Sequence, residues 1–164
     1  MKKIVFLFLF LFFSLMACKK EEIINQIIVP DYGNDGQYIL EPLPGVLGNV
    51  KITIWPSFNT DEAKILVENR LDSPIGYIIR DIEDMSFEYF HDSYISAKGD
   101  SEKYGTKLPL NKPIYIKLIA YKSTVSFALI QTIEGLGLDF WQSISNYRDN
   151  LQQEYEGELI LNSP

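Results

Sequence analysis

The sequence predicts a mainly β protein: an antiparallel β-sandwich with a C-terminal amphipathic helix, the immunoglobulin-like arrangement being one form such a sandwich can take. Three observations lead there. Between residues 38 and 121, short runs rich in Val, Ile, Tyr and Phe are separated by clusters of Gly, Pro, Asn and Asp. The runs follow one another too closely for the crossover helices of a parallel sheet. Near residue 139 the apolar spacing lengthens from two to between three and four residues, the helical period.

Tyr38-Ile39-Leu40 reads as a first short strand, stopped by Pro42 and Pro44. In residues 50–55, Val50, Ile52 and Ile54 point one way and Lys51, Thr53 and Trp55 the other, which is a strand with one buried face. Residues 56–61 close it, and residues 64–69 resume the pattern. A turn over 71–76 precedes strands at 77–80 and 85–90. Residues 96–112 are polar and contain Lys98-Gly99-Asp100 and Tyr104-Gly105, so a long exposed loop is expected. Residues 113–121 are apolar almost without a break, which predicts a central strand buried on both faces.

Residues 124–134 fit two patterns. Val125, Phe127, Leu129 and Ile133 suit a strand, whereas Ser123 or Thr124 could cap a helix that Gly135-Leu136-Gly137 breaks. The lack of Gly, Asn or Asp between Tyr121 and Val125 argues against a tight hairpin and favours the helix. Phe140, Ile144, Tyr147, Leu151 and Tyr155 step by four, three, four and four, predicting an amphipathic helix over 139–155. Asp139 is its expected N-cap and Gly157 its stop. Residues 158–161 form a last short strand or tail.

The N-terminus carries the most specific signal. Lys2 and Lys3 precede an unbroken apolar run over 4–13, too short to span a bilayer, and Leu15-Met16-Ala17-Cys18 follows. This resembles the lipobox of bacterial lipoproteins. The resemblance implies cleavage after Ala17, diacylation of the Cys18 sulfur and acylation of its new amine. Several chains on one residue anchor a protein firmly, since each buried methylene contributes about 0.8 kcal/mol. Lys19-Lys20-Glu21-Glu22 resembles the charged tag of surface lipoproteins of Bacteroidota. The implied location is the outer membrane, lipid-anchored, with exposure on the cell surface. The expected organisation is a cleaved signal at 1–17, a lipid-anchored tether at 18–37 and one β-rich domain at 38–164.

Loss of Lys2 and Lys3 with the signal takes the formal charge from −7 to −9. So acidic a surface repels nucleic acid, which is not an expected partner, and anionic lipid head groups, leaving attachment to the acyl chains. With Cys18 acylated, the chain has no cysteine left for a disulfide, a thiol nucleophile or a thiolate metal site.

No catalytic pattern emerges. His91, Asp92 and Ser93 are consecutive, so on a strand they point to alternate faces and cannot relay a proton. Asp81, Glu83 and Asp84, or Asp100 and Glu102, would be the carboxylates of a glycan hydrolase, but read as solvated loops. Residues 31–36 begin like an EF-hand loop, yet Gly33 stands at its third position and Pro42 at its twelfth, which leaves a plain turn. Most aromatic rings are expected in the core. Trp55, outward-facing beside a turn, and Tyr104, in the polar segment, are the candidate ligand-binding residues, suited to stacking on sugars; Trp141 is expected to pack its helix against a sheet. The sequence therefore predicts a non-catalytic binding or interaction module without cofactor or metal, held to the membrane by acylated Cys18, with a glycan or envelope protein as ligand. The alternatives are an accessory subunit of an outer-membrane protein complex and a glycan hydrolase.

Overall fold

Side-chain alternation sorts the strands into two sheets in the computed structural model, which describes residues 26–28, 31–32, 36–41, 43–59, 62–137 and 139–163. The signal sequence, Cys18 and the charged tag lie outside the described residues, as do residues 33–35 of the EF-hand-like turn. Strands β1 (Gln26–Ile28), β6 (Ile75–Asp81), β7 (Glu88–Ile95), β9 (Pro113–Tyr121) and β10 (Leu151–Ile160) form one sheet in the order β1-β10-β9-β6-β7. Strands β2 (Asp31–Tyr32), β3 (Tyr38–Leu40), β4 (Val50–Asn59), β5 (Glu62–Asn69) and β8 (Asp100–Thr106) form the other in the order β2-β3-β4-β5-β8. Neighbours are antiparallel except β1, which runs parallel to β10. The protein is a β-sandwich.

The core lies between the sheets. Ile52, Ile54, Ile65 and Val67 from one sheet meet Tyr77, Ile79, Ile116, Leu118 and Leu159 from the other, all fully buried. At about 1.5–3 kcal/mol for each large apolar side chain removed from water, this layer dominates stability. Asn69 joins the sheets at one end. Its buried amide donates to the carbonyls of Ser73 and Ser96 at 2.9 and 2.8 Å, and its Oδ1 accepts from the Leu71 N–H.

The β6 and β9 sheet is also covered from outside. Ile78, Ile119 and Tyr121 pack under helices α1 (Phe127–Glu134) and α2 (Phe140–Ser143), with Ile130, Ile133, Phe140, Trp141 and Ile144 above them. The near-continuous apolarity of β9 thus corresponds to burial on both faces, as its sequence predicts. The other sheet has no such cover among the described residues. We call them the covered and the bare sheet.

Residues 124–134 adopt the helical alternative, with the cap at Ser126, whose hydroxyl accepts from the Leu129 N–H, rather than at Ser123 or Thr124. The long helix over 139–155 is not formed. Asp139 does cap α2, accepting from Trp141 and Gln142, and Trp141 packs on the sheet. The chain then tightens into a 3-10 segment (Ile144–Asn150), with Tyr147 outside helical geometry, and Leu151 already begins β10. A register shift between Leu151 and Gln153 sends Leu151 to the helix side of the sheet and Tyr155 into the core between the sheets, so the spacing of four does not mark a helix face. Gly157, expected as a stop, is buried inside that strand.

Residues 96–112 are not one loop, because they contain β8, paired along its length with β5. Its inward positions are Ser101, Lys103 and Gly105, which give no apolar signal. Asp92 on β7 holds the first two, at 2.7 and 3.4 Å, and a Cβ at Gly105 would lie 3.0 Å from Phe90. The segment 18–37 is likewise not wholly a tether, since β1 pairs with β10 and β2 with β3.

Candidate functional site

On the bare sheet the strand register sets three side chains in one row. Trp55 on β4 pairs with Lys64 on β5, and Lys64 pairs with Tyr104 on β8. All three point away from the core, because their neighbours Ile54, Ala63, Ile65 and Gly105 face inward. With one strand between them, the Trp55 and Tyr104 backbones stand about 10 Å apart. The two residues singled out from sequence are therefore neighbours in space, although Tyr104 sits on an edge strand and not in a loop.

Lys64 organises the row. Its ammonium lies 4.9 Å from the centre of the Trp55 ring and 5.6 Å from that of Tyr104, both within cation–π reach. Glu102, two residues before Tyr104 and so on the same face of β8, accepts from the Tyr104 hydroxyl at 2.8 Å and pairs with Lys64 at 3.1 Å. Hydrogen bonds from Tyr104 and Lys64 hold the Glu102 carboxyl below its ordinary range, and the bond to Glu102 raises the Lys64 ammonium. The charges compensate. Tyr104 is 52% exposed and Trp55 partly so, leaving a flat surface of ring and hydrocarbon edged with hydrogen-bonding groups. Sequence reasoning missed Lys64 and named Glu102 only as a hydrolase carboxylate in a solvated loop. The alternation of residues 62–69 could have set Lys64 outward, while its place opposite Trp55 comes from the β4–β5 register.

The covered sheet carries a second polar feature. Arg80 on β6 is 6% exposed and pairs with Glu88 at 2.7 Å and Asp139 at 3.1 Å, while its Nε finds no partner among the described residues. Burial opposes charge on Asp139, but the Arg80 guanidinium and the helix N–H groups outweigh it and hold this carboxyl below the usual range. Lys117 on β9, equally buried, pairs with Glu154 and donates to the Trp141 carbonyl at 3.1 Å. An open groove of about 410 Å³ lies beside Arg80, lined also by Met85, His91, Glu134 and Phe140.

The residues examined for catalysis do not assemble. His91 is exposed and contacts Glu88 at 3.0 Å, Asp92 faces β8, and Ser93 accepts from the Tyr121 hydroxyl through its carbonyl. Asp81 accepts the N–H groups of Asp84 and Glu83 and the Tyr89 hydroxyl, which together lower its pKa; it has the opposite shift from a general acid. No group of three or more His, Cys, Asp or Glu among the described residues is placed to hold a metal ion. Comparison with protein-family models, curated proteins and solved structures gives no match.

Proposed function

We propose that this protein is a lipid-anchored envelope lipoprotein whose sandwich is a non-catalytic binding module, with the Trp55–Lys64–Tyr104 row receiving an extended glycan. One observation carries the reading: strand register sets two outward aromatic side chains on either side of a charge-compensated lysine, on the sheet face that no helix among the described residues covers. The apolar faces of sugar rings stack on aromatic rings, while Lys64 and Glu102 supply a donor and an acceptor for hydroxyl groups. The sandwich needs no cofactor for this role. Attachment through acylated Cys18 rests on the Leu15-Met16-Ala17-Cys18 sequence.

The accessory-subunit reading has an observation of its own: Met85 and Phe87, between β6 and β7, are 41% and 43% exposed. A glycan array separates the two. Binding without product release, lost in Trp55→Ala, supports the module; co-purification of a stoichiometric outer-membrane protein without glycan signal supports the accessory role; product formation would overturn both. Labelled palmitate entering the wild type but not Cys18→Ala checks the anchor.

A further inference from the structure

We infer that the Trp55–Lys64–Tyr104 row selects one class of glycan: a neutral chain joined through equatorial bonds, lying across the strands with three consecutive sugars over the three side chains. This rests on the binding role proposed above and adds to it the direction, linkage and charge of the ligand.

Direction follows from register. The row runs from β4 through β5 to β8, perpendicular to the strands, and β8 is the edge strand of its sheet. A ligand laid along the row therefore crosses the strands and can continue past Tyr104. A second row, Ile39–Thr53–Leu66, runs beside it, about 7 Å away along the strands. Ile39 and Leu66 are partly exposed, which gives the aromatic row an apolar margin.

Linkage follows from spacing. The Trp55 and Tyr104 backbones stand about 10 Å apart. One ammonium reaches both rings, at 4.9 and 5.6 Å, so the ring centres cannot spread much further than that. A six-membered sugar with equatorial bonds at both ends spans about half of this two-strand interval. In such a chain the sugar planes stay nearly coplanar. Alternate units then lay apolar faces on Trp55 and Tyr104, while the middle unit turns hydroxyl groups to the Lys64 donor and the Glu102 acceptor. An axial bond coils the chain and lifts the third unit off its ring.

Charge follows from pairing. On and beside this face Lys51 meets Glu68 at 3.8 Å, Lys64 meets Glu102 at 3.1 Å, and Arg70 meets Glu41 and Glu68 at 3.4 and 3.5 Å. Each of these cations is matched by a carboxylate, and the chain carries a formal charge of −7. A uronate or sulfate on the ligand would have to displace Glu102 from Lys64, and would approach against the field of the whole protein. Hydroxyl groups meet neither obstacle.

The test is calorimetric titration of the full-length protein with β-1,4-linked di- and trisaccharides of glucose, xylose, mannose and N-acetylglucosamine. The α-1,4-linked glucose trisaccharide and the β-1,4-linked glucuronate trisaccharide serve as counterparts. At least one neutral β-linked trisaccharide should bind, about tenfold tighter than its disaccharide because the third unit adds a ring contact. Both counterparts should bind more weakly, and added salt should narrow the glucuronate deficit. Glu102→Gln, which removes the carboxylate paired with Lys64, should narrow it as well; an unchanged deficit overturns the charge argument. Equal affinity for di- and trisaccharide overturns the three-sugar span. Counterparts that bind as tightly as the neutral β-linked chains, or binding confined to other glycans of an array, overturn the ligand class while the glycan site stands. No binding to any glycan, probe or arrayed, removes the proposed site itself, and this inference with it.

Discussion

The two outer faces of this sandwich are made by the same chemistry and end up opposite in character. On the covered sheet, Ile78, Ile119 and Tyr121 point outward and are fully buried under two helices. On the bare sheet, the equivalent positions hold Lys51, Lys64, Glu68 and Glu102, linked by partly exposed ion pairs around Trp55 and Tyr104. The difference teaches where stability and recognition are separated. Side chains under the helices hold the fold, while the charged and aromatic row, the proposed ligand face, contributes little to it.

Truncation should show the contrast most strongly. Ile119→Ala removes a fully buried side chain between sheet and helices and should lower stability by about 3 kcal/mol. Leu66→Ala, on the bare face and only partly buried, should cost about 1 kcal/mol or less. Urea denaturation measures both, and similar losses at the two sites would erase the distinction.

Buried charge gives the next effect. Arg80→Ala should cost about 2–3 kcal/mol, below the usual cost of breaking a buried pair because Glu88 and Asp139 are about a third exposed and keep some hydration. Lys64→Ala, removing a cation paired with the more exposed Glu102 on the bare face, should change the urea midpoint far less.

Acid sharpens the same comparison. The folded state holds the Asp139 carboxyl below its unfolded pKa, so the folded protein binds fewer protons there. The stability this adds is present above about pH 4 and is lost as the pH falls through the folded value. Asp139→Asn should flatten part of the acid limb of a stability–pH curve; an unchanged limb would mean that Arg80 and the helix cap do not hold this carboxylate.

The smallest stability change should accompany the largest binding change. Trp55→Ala and Tyr104→Ala should each weaken glycan binding about tenfold, or 1.4 kcal/mol. Their effect on folding should stay within about 1 kcal/mol. Loss of fold in either variant would move these rings from the recognition side of the comparison to the structural side.

The same contrast explains what the sequence made legible. A strand buried on both faces announces itself by continuous apolarity, as in residues 113–121, and a half-buried one by alternation, as in residues 50–55. Neither signal exists for β8, whose inward positions are filled by Ser101, Lys103 and Gly105 and whose place is decided by Asp92 and Phe90 on another strand. At Leu151 and Tyr155 the spacing of four suggests a helix, but a register shift in β10 sends the two side chains to opposite faces, which no local pattern announces. Of the proposed recognition row, Trp55 could be named from its outward position on a strand and Tyr104 from its place in a polar segment expected to be a loop. Their meeting across Lys64 depends on a register between β5 and β8 that no local pattern encodes.

The most direct test maps ligand onto the two faces. In a titration of the protein with an oligosaccharide selected on the array, followed through backbone amide shifts, the largest changes should fall at Trp55, Lys64, Glu102 and Tyr104, with α1, α2 and Arg80 unmoved. Changes centred on the groove beside Arg80, with the bare sheet silent, would contradict the account.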